Sequence, residues 1–223
     1  MKAIIPCAGL GTRMGSITKY CPKELLPLGV VPILTHILEE EVHADIAEIA
    51  IIISPDKYEV MSRYLRTSTT KCALITQVSP AGLSDAVLTA REWVGDEPCV
   101  VMLPDMIHTA RDLERMLSAW RKDPETSMLS VMPVPAYDAF KYGIFDPITR
   151  VIYEKPSLDR HIQPVLAASG RYILPPGRLN LRDPDFNKLL LGSNAYLVRD
   201  PVYDTGSPEG YIKAFKELAN QPR

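Results

Sequence analysis

Cysteine is scarce in this sequence, which has four cysteines in 223 residues. Cys7, Cys21, Cys72 and Cys99 form neither a CxxC pair nor a zinc-binding pattern. A chain of this length is also larger than the small secreted domains that depend on disulfides. We therefore expect reduced thiols and a cytoplasmic protein.

The sequence also lacks an excess of charge of one sign and any long apolar run. A net charge of −2 gives no overall electrostatic footprint for nucleic acid and no polybasic surface for anionic lipid. No apolar run approaches the roughly 18 residues of a membrane span, and Ala3–Cys7 is too short for the core of a signal peptide. We expect neither nucleic acid nor a membrane as a partner, so any anion site must be local.

Two well-known phosphate-binding motifs are missing. The Walker A pattern needs Gly-Lys-Ser/Thr, but Gly11 is followed by Thr12 and Arg13. The dinucleotide fingerprint needs a small residue at position 14, where this sequence has Met14. Met14 therefore argues against a dinucleotide-dependent redox enzyme. The sequence also shows no recognisable Ser-His-Asp or Cys-His arrangement.

A glycine-rich, basic stretch is nevertheless present between an apolar run and a helical pattern at Pro32–Val42. It reads AGLGTRMGSITKYCPKELLPL, from Ala8 to Leu28. Glycine turns between a strand and a helix can present backbone N–H groups to phosphate. Arg13, Lys19 and Lys23 add positive charge, so the stretch predicts a polyphosphate site that suits a nucleoside triphosphate.

Short apolar runs alternate with helical patterns through the first part of the chain. The runs are typical of buried parallel strands; they are Ala3–Cys7, Ile49–Ile53, Cys72–Thr76, Cys99–Leu103 and Met128–Met132. Helix starts are expected at Ser54-Pro55 and at Thr109-x-x-Asp112. The alternation predicts an α/β doubly wound sheet whose ligands bind beyond the carboxyl ends of its strands.

The glycine-rich stretch also carries a family resemblance. GxGTRM followed by TKxxPKExLPL resembles the sugar-1-phosphate nucleotidyltransferases, most of all the bacterial UTP–glucose-1-phosphate uridylyltransferases, with the glucose-1-phosphate thymidylyltransferases close behind. The resemblance implies a Rossmann-like mixed sheet and two small-molecule substrates, a nucleoside triphosphate and a sugar-1-phosphate. It implies that Arg13, Lys23 and Lys155 are catalytic and that the nucleotide meets Ala8, Gly9, Gly11, Thr12, Gln77 and Gly82.

The second part of the chain, from about Tyr142, shows predicted strands joined by turns, with less helix. Strands are expected at Tyr142–Phe145, Val151–Glu154 and Val165–Ile173, and a last helix from Ser207-Pro208. We expect one domain over residues 1–223, with a nucleotide-binding part at 1–135. A small β subregion on the sugar side and the C-terminal helix would occupy 136–223.

Magnesium is the cofactor that the resemblance implies. Asp105 follows a buried strand in LPD, and Asp204 opens DTGS; taken alone, each could be a turn or cap residue, but both match the family's metal-binding aspartates. Carboxylate oxygens suit Mg²⁺. A sugar-1-phosphate is already ionised at neutral pH, so its attack on the α-phosphorus needs no general base, only positioning and charge neutralisation.

The sugar site is expected at Gly143, Glu154 and Lys155, in YGIFD and EKP. Alone, EKP is more often a solvated turn. With Gly170-Arg171-Tyr172 downstream it resembles the family's sugar site.

The resemblance is weaker at two places. Asp85 stands where relatives have His or Gln, and a carboxylate beside a triphosphate is unfavourable unless it is paired. The segment Pro176–Arg199 lacks the family pattern. The use of dTTP, a non-catalytic nucleotide-sugar-binding role, the identity of the sugar and a homo-oligomeric state therefore stay open.

Overall fold

The computed structural model describes residues 1–44, 46–79, 81–108, 111–156, 164–180 and 185–218. Its strands, in chain order, are β1 (Lys2–Pro6), β2 (Pro27–Leu28), β3 (Val31–Pro32), β4 (Glu48–Ile53), β5 (Cys72–Thr76), β6 (Cys99–Met102), β7 (Met106–His108), β8 (Met128–Val134), β9 (Gly143–Asp146), β10 (Val151–Glu154), β11 (Val165–Leu174), β12 (Asn194–Leu197) and β13 (Val202–Asp204). Its α-helices are α1 (Ile33–His43), α2 (Tyr58–Leu65), α3 (Gly82–Thr89), α4 (Arg91–Val94), α5 (Asp112–Trp120), α6 (Phe186–Leu189) and α7 (Pro208–Leu218).

The main sheet is mixed, as predicted, and has the strand order β10-β9-β11-β6-β1-β4-β5. Strands β6, β1, β4 and β5 are parallel to one another. The apolar runs found in the sequence match these strands to within about a residue. One expectation is wrong: β8 is not part of the parallel group but pairs antiparallel with β11 and parallel with β12. A continuous apolar run indicates a buried strand but does not show whether its neighbours are parallel or antiparallel. Residues Met128–Val131 of β8 are buried, as the run predicts.

Strands β9, β10 and β11 form the β subregion expected in the second part of the chain. They do not make a separate sheet. Strand β11 pairs antiparallel with β6, β8 and β9, so the subregion extends the main sheet on the side of β6. The connection from β9 to β10, residues 147–150, is short enough for antiparallel neighbours, whereas parallel strands need longer crossovers.

Helices cover both faces of the parallel group, as expected for a doubly wound sheet. In β1, Ala3 and Ile5 pack into one core cluster with α1 and α5, while Ile4 packs into the other with α3 and α4. The apolar face of α5 is buried; its members, which recur at helical spacing, are Leu113, Met116, Leu117 and Trp120. Among the described residues, no helix is long and apolar enough to cross a membrane.

Two of the three helix starts predicted from the sequence fall entirely on described residues. Pro55–Lys57 forms a 3₁₀ turn that leads into α2, which confirms the start at Ser54-Pro55. Helix α5 begins at Asp112, and Thr109 lies outside the described residues. Helix α7 begins at Pro208, which confirms the start predicted at Ser207-Pro208.

Candidate active site

A cavity of about 550 Å³ opens at the carboxyl ends of β1, β5 and β6, and strands β9 to β11 form its opposite wall. This volume is typical of small-molecule sites. The catalytic, nucleotide, sugar and metal residues predicted from the sequence all line the cavity except Gly11, whereas Lys19 of the basic stretch does not line it. The lining set comprises Ala8, Gly9, Thr12, Arg13, Lys23, Gln77, Gly82, Asp105, Gly143, Glu154, Lys155 and Asp204.

The glycine-rich stretch turns sharply after β1. Ala8, Gly9 and Thr12 face the cavity, whereas Gly11 does not line it. Gly11 instead adopts a left-handed conformation (φ +67) where the 3₁₀ helix Thr12–Lys19 begins. A Cβ there would lie 3.0 Å from Thr18 Cγ2, so glycine permits both the turn and the contact.

The turn is stabilised by a buried lysine, Lys57, which the sequence did not mark as a site residue. Lys57 Nζ donates to the carbonyl oxygens of Cys7 (2.6 Å) and Gly9 (2.7 Å) and to Glu24 Oε2 (3.1 Å). Burial raises the pKa of Glu24, although the charges of Lys57 and Lys23 partly offset the rise. Lys57 therefore satisfies two carbonyls of the turn and does not itself line the cavity.

A short two-stranded ladder brings the two predicted metal ligands together. Strands β7 and β13 pair antiparallel, with Asp204 opposite Met106. The next residue, Thr205, donates its backbone N–H to the carbonyl oxygen of Asp105 (2.7 Å). Two aspartates that are distant in the sequence thus share one wall of the cavity.

Two cations neutralise one of these carboxylates. Lys23 Nζ lies 2.5 Å and Arg13 Nη2 lies 3.7 Å from Asp105 Oδ2. Burial alone would raise the pKa of Asp105, but Lys23 and Arg13 outweigh it and hold that pKa below its usual value. Asp105 is therefore ionised near neutral pH.

The pKa of the second carboxylate, Asp204, is shifted in the opposite direction. Burial, together with the negative charge of Asp105, raises the pKa of Asp204, and the Gly206 N–H donated to Asp204 Oδ1 (2.8 Å) only partly offsets this. Repulsion between two partly buried carboxylates is relieved by a cation between them.

This donor set fits a hard divalent cation. The described residues contain no cluster of three or more His, Cys, Asp or Glu side chains that could form a complete metal cage. Mg²⁺ in phosphate-transfer sites takes one or two carboxylates and completes its shell with waters and substrate phosphates. The pair formed by Asp105 and Asp204 meets that need.

Gly206 lies at the centre of this charged group. A Cβ there would be 2.9 Å from Arg13 Nη2, 2.9 Å from Asp105 Oδ2 and 3.0 Å from Asp204 Oδ1. We therefore expect Gly206→Ala to lower turnover at least about tenfold, since three charged groups would have to move apart. Steady-state rates measured beside thermal unfolding check this. A rate within twofold of wild type would show that the charged group tolerates displacement. A loss of folded protein as large as the loss of rate would show that the substitution acts on the fold.

The end of β5 forms another wall. Gln77 is buried and lines the cavity, and Gly82 (φ +89) starts α3 beside it. Asp85, whose charge was a concern in the sequence, has a partner: Gln77 Nε2 donates to its Oδ2 (2.6 Å). Pro80, also in this segment, lies outside the described residues.

The opposite wall carries the predicted sugar-site residues. Gly143 and Glu154 are directly paired in β9 and β10, and a Cβ on Gly143 would lie 2.9 Å from Ile152 Cγ2. Lys155 has a left-handed backbone (φ +44), which is strained for a lysine, and its N–H donates to the Tyr142 carbonyl (3.0 Å). Strain of this kind is often found at functional sites, and here it accompanies a lysine at the cavity.

Of the Gly170-Arg171-Tyr172 motif, only Tyr172 lines the cavity. The side chain of Arg171 is fully buried and donates to the Glu40 carboxylate (2.5 Å). It also donates to the carbonyl oxygens of Leu103 (3.2 Å) and Met106 (3.0 Å), on either side of Asp105. Arg171 thus clamps the loop that carries Asp105.

Sequence reasoning also missed the wall contributed by α6. Phe186 packs edge-on against Tyr172, with ring centroids 5.0 Å apart, and both line the cavity. Asn187 Nδ2 donates to Glu154 Oε1 (3.4 Å). The Asp185 carboxylate, which accepts from Asn187 N (3.0 Å), is the helix-capping signal that could have located α6 in the sequence.

A glycine-rich turn that faces two carboxylates, at the carboxyl edge of a doubly wound sheet, is typical of nucleotide-binding α/β proteins. The family can also be stated. Residues 2–221 match the model described as Nucleotidyl transferase, and the chain belongs to that family. Members of the family generally use a divalent metal.

Named relatives agree with this assignment. The chain is 32% identical to UTP–glucose-1-phosphate uridylyltransferase of Bacillus subtilis (strain 168), covering all of this chain and 92% of the relative. The structure of UTP-bound UGPase from Acinetobacter baumannii matches with a TM-score of 0.83 at 25% identity, covering 98% of this chain and 95% of the other. That of UDP-glucose pyrophosphorylase complexed with UDP-glucose matches at 0.82 and 27%, covering 97% of each chain.

Proposed function

We propose that this protein transfers a uridylyl group from UTP to glucose-1-phosphate. An oxygen of the sugar phosphate forms a bond to the α-phosphorus of UTP, the bond from that phosphorus to the bridging oxygen breaks, and pyrophosphate leaves. UDP-glucose is the other product. The observation that carries the proposal is that one cavity brings together the glycine-rich turn, the aspartate pair and the Glu154-Lys155 wall. The named relatives support UTP and glucose-1-phosphate as the substrates.

The residues divide between the two substrates. Arg13 and Lys23 hold the β- and γ-phosphates and stabilise the departing pyrophosphate, while N–H groups of the turn contact the triphosphate. Gln77 and Gly82 meet the base. Gly143 and Glu154 hold the sugar and Lys155 its phosphate, so that the nucleophilic oxygen is fixed beside the α-phosphorus.

The metal in this proposal is Mg²⁺, held by Asp105 and Asp204. When bound, it neutralises charge on the triphosphate and on the developing transition state. Residues 1–135 would bind the nucleotide and residues 136–223 the sugar phosphate, as parts of one domain. A cytoplasmic location, where thiols stay reduced, agrees with the four free cysteines.

Initial rates of pyrophosphate release test the substrate assignment. UTP and dTTP are each supplied with glucose-1-phosphate and MgCl₂, and we expect a clear preference for UTP. A preference for dTTP would make the protein a thymidylyltransferase. Calorimetric binding of UDP-glucose without pyrophosphate release from any triphosphate would make it a non-catalytic binding protein.

The metal assignment has its own test, the substitution Asp105→Asn. Removing the ionised carboxylate should raise the Mg²⁺ concentration for half-maximal rate at least about tenfold and lower the maximal rate. A magnesium titration of initial rates measures both. Asp56→Asn, an exposed aspartate at the start of the 3₁₀ turn before α2, is the matched control and should not change the titration. An unchanged titration in Asp105→Asn would show that Asp105 is not a ligand.

A further inference from the structure

The amide of Gln77 is held by two acceptors. Its Nε2 donates to Asp85 Oδ2 (2.6 Å) and to the carbonyl oxygen of Gly82 (3.3 Å). A carboxylate and a carbonyl can only accept, so the group facing them must be the NH₂ and not the carbonyl of the amide. The orientation of Gln77 therefore follows from chemistry, because the reverse orientation would set oxygen against two oxygens.

Asp85 acts on this amide without entering the cavity. Gln77, Gly82, Leu83 and Ala86 line the cavity, but Asp85 is absent from its lining. Asp85 lies in the first turn of α3, a helix whose Ala86 and Val87 are buried in the core. Helix α3 therefore holds the Asp85 carboxylate next to the Gln77 amide and outside the cavity lining.

Both protons of the Gln77 NH₂ are used by these two contacts, so the polar atom left for a ligand is Oε1, an acceptor. Uracil carries a donor at N3–H. Cytosine carries an acceptor at N3, which would oppose Oε1. A buried acceptor that meets another acceptor loses its hydrogen bond, and sites built in this way discriminate strongly.

We propose that Asp85 is a positioning residue for base selection, which fixes the Gln77 amide so that its Oε1 accepts from an imide N3–H. The proposal rests on the proposed function, in which the base lies at this end of the cavity. It predicts selection of uracil over cytosine and makes no distinction between uracil and thymine, since both carry N3–H. The resemblance puts His or Gln at this position, where this chain has Asp85.

Two variants of Asp85 test the proposal. Asp85→Ala removes the closer of the two acceptors and leaves only the longer contact to the Gly82 carbonyl, so the Gln77 amide can turn and offer its NH₂ to cytosine N3. Asp85→Asn keeps an acceptor oxygen in the same place and should retain the orientation. The readout is the ratio of kcat/KM for UTP to that for CTP, with glucose-1-phosphate and MgCl₂ held constant. A change in fold or overall activity would not alter this ratio.

We expect Asp85→Ala to lower the UTP/CTP ratio at least tenfold and Asp85→Asn to keep it within about threefold of wild type. An unchanged ratio in Asp85→Ala, or an equal loss in both variants, would overturn the proposal. Should the wild type release no pyrophosphate, the proposed function fails. The ratio of the calorimetric Kd for CTP to that for UTP then replaces the kinetic ratio as the readout. The inference about Asp85 then stands or falls on binding alone.

Discussion

Lys23→Ala should lower turnover by about 10²–10³-fold, the range seen when one preorganised charge-stabilising donor is removed from an active site. Lys23 Nζ is largely buried, lies 2.5 Å from Asp105 Oδ2 and lines the cavity beside Arg13. Its loss removes a fixed positive charge from the proposed phosphate site and leaves Asp105 without its nearest cation. Steady-state kinetics with UTP and glucose-1-phosphate measure the effect, and circular dichroism checks that the fold persists.

Lys19→Ala is the matched control, because Lys19 belongs to the same stretch but is exposed and does not line the cavity. We expect its turnover to stay within about threefold of wild type, since exposed charges act weakly through solvent. Near-wild-type turnover in Lys23→Ala would remove Lys23 from the mechanism. Equal losses in both variants would mean that the general charge of the stretch matters rather than one positioned ammonium.

Arg171→Met should destabilise the fold by about 3–5 kcal/mol, the usual cost of removing one partner from a buried ion pair. Glu40 would keep a nearly buried carboxylate without its guanidinium, and the carbonyls of Leu103 and Met106 would lose their donors. The activity of the remaining folded protein should also fall, because the same donors hold the loop that carries Asp105. Urea denaturation measures the free energy of unfolding.

An exposed ion pair supplies the comparison for Arg171. Arg63 and Glu59 pair at 2.9 Å on the surface of α2, so Arg63→Met should cost no more than about 0.5 kcal/mol. The double variant Glu40→Leu/Arg171→Met should recover part of the stability, since it leaves no unpaired buried charge. Similar losses of unfolding free energy in Arg171→Met and Arg63→Met would contradict the role of Arg171 in holding the loop that carries Asp105.

The parallel strands could be predicted from the sequence because each is a continuous apolar run between turn residues. The cavity residues of the glycine-rich stretch could be predicted too, since Gly9, Arg13 and Lys23 follow a strand and carry a recognisable spacing. Their common location follows from one rule, that the carboxyl ends of parallel strands share an edge.

Long-range pairing could not be predicted in the same way. Strands β7 and β13 have three residues each, too few for a period, yet their pairing brings Asp105 and Asp204 together. Arg171 belongs to a motif that was expected at the sugar site, but its partner Glu40 belongs to α1 and nothing in the local sequence marks the pair. Asp85 seemed to conflict with a triphosphate until the structure paired it with Gln77.

The most direct test of the account is ³¹P NMR of UTP, glucose-1-phosphate and MgCl₂ incubated with the protein. We predict that the resonances of UDP-glucose and of pyrophosphate appear in equal amounts, and that chelation of the metal with EDTA prevents both. UTP and glucose-1-phosphate that stay unchanged in the presence of Mg²⁺ would contradict the account.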